Sequence, residues 1–126
     1  MTAPCLFCTL GAERIVQANE LAVVIRDSFP VSPGHTLVIP KRHVGSFFDV
    51  TGDEREVMLA LLDSAKFALD AAFHPDGYNV GINDGQAAGQ TVPHVHLHLI
   101  PRYTEDSEDP RGGVRWIFPQ KAKYWP

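Results

Sequence analysis

Three histidines fall on alternate positions in one short run, Pro93-His94-Val95-His96-Leu97-His98-Leu99-Ile100-Pro101, and the residues between them are apolar. Strict alternation of this kind is the pattern of a half-buried β-strand, because successive side chains leave a strand on opposite faces. Val95, Leu97 and Leu99 are therefore expected to face a core. The three imidazoles then share the other face, each roughly 6.5–7 Å from the next. Half of the six histidines in the chain are spent here. No folding argument requires that, so the run points to chemistry.

The chain has 126 residues, which bounds it to one domain over 1–126 with room for a core that needs no staples. An apolar share of 44% and a charged share of 21% are ordinary for a soluble globular protein. No apolar run approaches a membrane span, and the start of the chain, Met1 to Cys8, has neither a basic segment nor a long apolar one. The expectation is a cytoplasmic protein with no membrane partner. A net charge of −4 also speaks against a nucleic-acid polymer, whose binders show a basic patch. A nucleotide is a different matter, because backbone N–H groups and a few local charges can hold a small phosphate on an acidic protein. The acidic cluster Glu105 to Asp109 reads as a solvated loop.

The remaining punctuation gives an order of elements. Ile15–Ala18 and Leu21–Ile25 are β-rich runs flanking Asn19-Glu20, a hairpin pattern. Pro30 and Ser32-Pro33-Gly34 mark a turn, and His35–Ile39 reads as a buried strand stopped by Pro40. A helix is predicted between about Gly52 and Phe73. Thr51 with Glu54 makes a capping box, and Val57, Met58, Leu61, Leu62, Ala65, Leu69 and Ala72 form one apolar stripe that is core and nothing more. Tyr78–Asn83 alternates as a strand, and a glycine-rich loop over 84–91 leads into the histidine run. Short connections in this order suggest an antiparallel α+β sheet rather than βαβ units. Val114–Phe118 in the tail is a candidate edge strand. His74, beside Pro75, is expected at the surface where the helix ends.

For the histidines themselves the residues leave two readings open. One imidazole can attack phosphorus while its second nitrogen is held by an acceptor, and a neighbour donates to phosphate oxygens or the leaving group. Backbone amides of the glycine-rich loop, with Asn83, Gln90 and Thr91, can add phosphate contacts, although Gly85 and Gly89 also suit a plain turn. Alternatively the three histidines ligate a catalytic zinc. The only two cysteines, Cys5 and Cys8, form a Cys-x-x-Cys pair, which lacks the preceding strand of a thioredoxin-like site and makes half of a zinc site if two more ligands stand nearby.

The run His-Val-His-Leu-His-Leu-Ile resembles the signature of the histidine triad (HIT) family. The resemblance extends to the Asp27–His35 segment, to Leu37-Val38-Ile39-Pro40-Lys41-Arg42-His43, and to Asn83-Asp84-Gly85 with Gly89-Gln90-Thr91. It implies a HIT-like α+β fold, with an antiparallel sheet, one long helix and short helices, assembled as a homodimer. It also implies hydrolysis or transfer of nucleoside monophosphates. Under it, His96 is the nucleophile that forms a nucleotidyl-histidine intermediate. His98 contacts phosphate or leaving group, and His35 supports the site. Asn83, Gln90 and Thr91 line the phosphate pocket, Asp27 takes the ribose hydroxyls, and Phe7 and Leu10 wall the base. Some bacterial-type members carry a structural zinc on two cysteines and two histidines, and the matching set here is Cys5, Cys8, His43 and His94. A nucleotide-binding sensor with weak catalysis would need the same pocket. The triad could also serve as ligands of a zinc-dependent hydrolase, though the cysteine pair offers His94 a different metal partner. Lys41, Arg42 and Arg102 suit either an anionic substrate or bulk solvent, and Trp116, Tyr124 and Trp125 either stack on a base or partner or simply pack.

Overall fold

Alternating apolar residues in five segments build one antiparallel sheet in the computed structural model, which describes residues 5–126. The strands are β1 (Ile15–Ala18), β2 (Ala22–Arg26), β3 (Thr36–Pro40), β4 (Gly77–Ile82) and β5 (Leu97–Arg102), in the spatial order β1-β2-β3-β5-β4. All four pairings are antiparallel. Asn19 closes the β1–β2 hairpin, its Oδ1 accepting from the N–H groups of Leu21 and Ala22 at 3.0 and 2.9 Å. This is the Asx-turn chemistry that makes Asn a hairpin residue.

Helix α1 runs Gly52–Phe73. Its start is fixed by a complete capping box: Thr51 Oγ1 accepts from the Glu54 N–H at 3.0 Å, and Glu54 Oε1 accepts from the Thr51 N–H at 2.8 Å. Arg42 pairs with the same carboxylate at 2.9 Å, so this cation serves the helix start and does not face a substrate. The Arg42 guanidinium and the Thr51 amide hold the Glu54 carboxyl down at about 2. At the other end His74 takes the left-handed conformation (φ 51°) as C-cap, exposed as expected.

The sheet is covered on both faces. Met58, Leu61, Ala65 and Leu69 of α1 pack on Val24, Val38, Val95, Leu97 and Leu99. Ala72, assigned to the same stripe, lies exposed in the last turn of the helix. On the opposite face Val23, Ile25, Leu37 and Ile39 are covered by Phe7, Leu10 and Ile15. The two-sided cover explains why β2 and β3 read as nearly continuous apolar runs. It also alters the picture of the histidine face, which is roofed by the N-terminal segment instead of lying open.

Two boundaries differ from expectation. The histidine run enters the sheet only at Leu97; His94 and His96 precede β5. The Val95 N–H donates to the Val44 carbonyl at 2.8 Å, so this stretch is tied to the loop after β3, and the alternation of faces persists without ladder bonds. In the tail, Val114–Phe118 is not an edge strand. Gly113–Ile117 forms a 3₁₀ turn followed by the short helix α2 (Pro119–Ala122). The Arg115 guanidinium gathers the carbonyls of Lys121 and Ala122, and the Trp116 indole donates to the Arg111 carbonyl, all local bonds that an extended segment could not make. The acidic cluster is also more than a solvated loop, since Asp106 accepts from the Arg102 guanidinium and the Tyr103 N–H. No helix among the described residues is long and apolar enough to cross a membrane.

Candidate active site

Four of the six histidines, His35, His94, His96 and His98, lie on the sheet face away from α1 or in line with it. Strand parity puts His98 beside Leu37 and Gly81 in the register, and His35 two residues back from Leu37 on the same face. The rings of His96 and His98 are 5.1 Å apart, and those of His35 and His98 5.2 Å apart.

Hydrogen bonds to the backbone fix the protonation pattern. His96 Nδ1 lies 2.9 Å from the His94 carbonyl oxygen, which only accepts, so Nδ1 carries the proton and the Nε2 lone pair is free. His35 Nδ1 lies 3.1 Å from the Val31 N–H, which only donates, so the His35 proton sits on Nε2. That proton points to His98 Nδ1 at 2.9 Å, with the Asp27 carboxylate at 3.4 Å as a second neighbour. His98 Nδ1 is then an acceptor, and its own proton sits on Nε2. Among the described residues neither His96 Nε2 nor His98 Nε2 has a protein partner, yet no unpartnered polar atom is buried. Both atoms are therefore open to the cavity, one as a lone pair and one as a donor. That is the pairing a phosphoryl-transfer site needs.

Burial, reinforced by the imidazoles of His96 and His35, pushes the His98 pKa down to about 4 from an ordinary 6.5. Burial lowers His35 as well, against the pull of Asp27. The hydrogen-bond chain thus runs through neutral rings at neutral pH. For stability the sign follows directly: the unfolded chain takes up the His98 proton at higher pH than the folded chain, so stability falls as pH drops from about 6.5 towards about 4. His98→Gln is expected to remove that part of the slope. Urea midpoints of both proteins across this window check it, and identical slopes would rule the depressed pKa out.

The other ring of the triad does different work. His94 is fully buried and turns Nδ1 towards Cys5 and Cys8, with Sγ···Nδ1 distances of 3.4 and 3.5 Å. His43 Nδ1 lies 3.3 Å from His94 Nδ1 and 3.3 Å from Cys8 Sγ. All four ligand atoms fall within 4.8 Å of one another. Tetrahedral zinc with bonds of about 2.0–2.3 Å holds its ligand atoms about 3.3–3.8 Å apart, so the donor set fits that ion. The His94 Nε2–H donates to the Pro40 carbonyl at 2.8 Å, which leaves Nδ1 as the ligating lone pair and supplies the outer hydrogen bond usual for a metal-bound histidine. A second grouping, Asp27, His35 and His98, is equally compact. It does not suit a cation, because the proton on His35 Nε2 stands where a ligand lone pair would have to be. Nor do the three triad histidines converge on one point, since His94 faces the cysteines.

The cavity beside His96 and His98 has a volume of about 870 Å³, within the size range of small-molecule sites. It is lined by His35, Asp27, Asn83, Thr91, Phe7 and Leu10, all assigned to it from the sequence. Phe7 meets the His96 ring edge-on at 5.0 Å. Gln90 stands apart from this lining. Its amide is committed to the loop, Nε2 donating to the carbonyls of Gly45 and Val92 and Oε1 accepting from the Gly85 N–H. Three of the loop's amides are also spent on the loop itself: those of Ala88 and Gln90 donate to Gly85, and that of Gly89 to Gln86. Gly85 and Gly89 both have φ near +90°, so they serve the turn.

Sequence reasoning missed the carbonyls and amides that set the tautomers, those of Val31, Pro40 and His94, because a main-chain group leaves no mark in residue type. It also missed Asp84, which accepts from the Ser46 hydroxyl and the Phe47 N–H and pins the loop behind Asn83. An Asp ahead of a glycine in a loop was the available signal.

Comparison with known proteins agrees with this geometry. The HIT domain family model matches residues 11–105. An uncharacterised HIT-like protein of Saccharolobus solfataricus is 33% identical over 108 residues, 82% of this chain and 78% of the relative. The bis(5′-nucleosyl)-tetraphosphatase (asymmetrical) of Schizosaccharomyces pombe is 43% identical over 93 residues, which span 74% of this chain but only 51% of that enzyme. Among solved structures, a zinc-bound histidine triad family protein from Mycobacterium smegmatis superposes with a TM-score of 0.69 at 36% identity, covering 85% of this chain and 72% of that one.

Proposed function

Because the chain belongs to the HIT domain family, we propose that it is a nucleotide hydrolase or transferase working through His96. Its substrates are nucleoside polyphosphates, dinucleoside polyphosphates or nucleoside phosphoramidates, attacked at the α-phosphorus. One observation carries the reading: the His94 carbonyl occupies His96 Nδ1 and leaves the Nε2 lone pair facing a cavity of nucleotide size.

Attack forms an Nε2–P bond while the bond from phosphorus to the leaving group breaks. A leaving phosphate departs as an anion with the bonding electron pair, and a leaving amine takes its proton from solvent. The His98 Nε2–H donates to the phosphate oxygens as charge moves onto them. Water then attacks the same phosphorus, the N–P electrons return to His96, and the water proton passes to solvent, releasing a nucleoside monophosphate. Throughout, the His94 carbonyl holds the Nδ1 proton, so the phosphorylated ring is cationic and a good leaving group. Phe7 and Leu10 wall the base, Asp27 takes the ribose hydroxyls, and Asn83 and Thr91 contact phosphate. Gln90 acts by holding the loop in shape, and a direct phosphate contact would require it to give up those bonds.

Cys5, Cys8, His43 and His94 hold a structural zinc, which contributes a rigid cross-link and no reacting group. The reduced thiols suit a cytoplasmic setting. In this reading the protein works as a homodimer; the outer strand β4, with Val80 half exposed and a backbone edge free to pair with a second copy, supports that assembly.

The test is turnover of diadenosine tetraphosphate and adenosine phosphoramidate, with alkaline quench of a reaction on radiolabelled substrate. Release of AMP and a base-stable labelled adduct on His96 is the expected result. Tight binding of both compounds with negligible turnover would instead identify a sensor.

A further inference from the structure

Two of the four proposed zinc ligands and the proposed base wall occupy the same six residues, Cys5 to Leu10. Phe7 lies between Cys5 and Cys8, and Leu6, Thr9 and Leu10 complete the turn; all four line the cavity beside His96. The turn's own hydrogen bonds are internal, from the Cys8 N–H and the Thr9 hydroxyl to the Cys5 carbonyl at 3.2 and 3.1 Å. Among the described residues, no backbone hydrogen bond joins 5–10 to any strand or helix. The turn is held to the body of the protein by two things. One is the contact of both cysteines with His43 and His94; the other is the packing of Phe7 and Leu10 on Val23, Ile25, Leu37 and Ile39. On the catalytic side Phe7 touches both rings of interest edge-on, His96 at 5.0 Å and His94 at 6.0 Å.

We infer that the metal centre is part of the nucleotide-binding site: by fastening the Cys5–Leu10 turn it sets the wall against which the base packs, so metal and nucleotide bind with positive, reciprocal coupling. The inference rests on the zinc and nucleotide readings above and adds the link between them. With the metal gone, the turn keeps only the packing of Phe7 and Leu10, and the order it has lost must be restored when the nucleotide binds, which is subtracted from affinity. Linkage makes the converse necessary. A nucleotide that orders the turn brings two of the four ligands into place and must raise metal affinity by the same factor. Phe7 is the transmitting residue, because from within the ligand turn its ring touches both histidines and lines the cavity.

Two titrations measure the link on the full chain. AMP affinity is determined by calorimetry for zinc-loaded and chelator-stripped protein. Zinc affinity is determined by competition with a chromophoric chelator, with and without saturating AMP. The expected result is a rise of about tenfold in both, inside the range usual for coupled sites. Phe7→Ala, titrated at AMP concentrations shown by calorimetry to saturate the variant itself, is expected to have a zinc affinity that AMP no longer changes, so the zinc measurement reports the link and not a loss of AMP binding. Equal AMP affinity in both forms, with zinc affinity indifferent to AMP, overturns the coupling and leaves both parent readings standing. Failure to bind zinc overturns the zinc reading, failure of the zinc-loaded and the stripped forms alike to bind AMP overturns the nucleotide reading, and the coupling falls with either.

Discussion

His96→Ala is expected to lower kcat by about 10⁴-fold or more on any substrate the wild type turns over, since the variant has no nucleophile and water must attack directly. The labelled adduct should disappear with it. Because the nucleophile's ring is buried among Phe7 and His98 and not bound to a metal ligand atom, zinc content should stay at the wild-type level, and AMP should still bind. His98→Gln separates the roles of the two rings. It removes one hydrogen-bond donor from the phosphate, for which a loss of about 10²–10³-fold is expected, with the adduct still formed. Comparable losses in the two variants, or an adduct retained in His96→Ala, would move the nucleophile elsewhere. A zinc-dependent hydrolysis is distinguished by the same pair, because it predicts no covalent adduct in any variant.

The second large effect concerns the metal. Cys5→Ala is expected to abolish stoichiometric zinc and to lower stability by about 4 kcal/mol, the contribution of a ligand present at about 1,000 times its Kd. For a chain of this length that amounts to a fall in Tm of about 15 °C. Elemental analysis and thermal melts check both parts. Since Cys5 and His43 act through one ion, their losses must not add: Cys5→Ala/His43→Ala should melt within a degree or two of Cys5→Ala. Wild-type protein without stoichiometric zinc would sink the assignment, and additive losses would show that the four side chains stabilise the fold separately.

The extent of the helix, the hairpin at Asn19 and the antiparallel sheet were all legible in the sequence, because each rests on local chemistry. Thr51 and Glu54 cap a helix wherever that helix packs, and a period of two writes a strand without reference to its neighbours. Val114–Phe118 failed for the converse reason. Its β-rich composition is overruled by Arg115 and Trp116, whose bonds to nearby carbonyls exist only once the tail has turned. Gln90 shows the same limit within the site. A polar residue beside a glycine reads as a phosphate contact, yet its amide closes the loop on Gly45, a residue 45 positions away.

The histidine run carries the division most plainly. By itself the sequence determined that three imidazoles share one face, since alternation in an extended chain leaves no other outcome. The family resemblance gave them separate roles. Only the tertiary structure decided what stands opposite each ring: two thiols and a second imidazole for His94, a main-chain carbonyl for His96, and the protonated nitrogen of His35 for His98. A ring's tautomer and charge are set by the atoms within about 3 Å of its nitrogens, and most of those atoms belong to backbone groups or to residues far away in the chain.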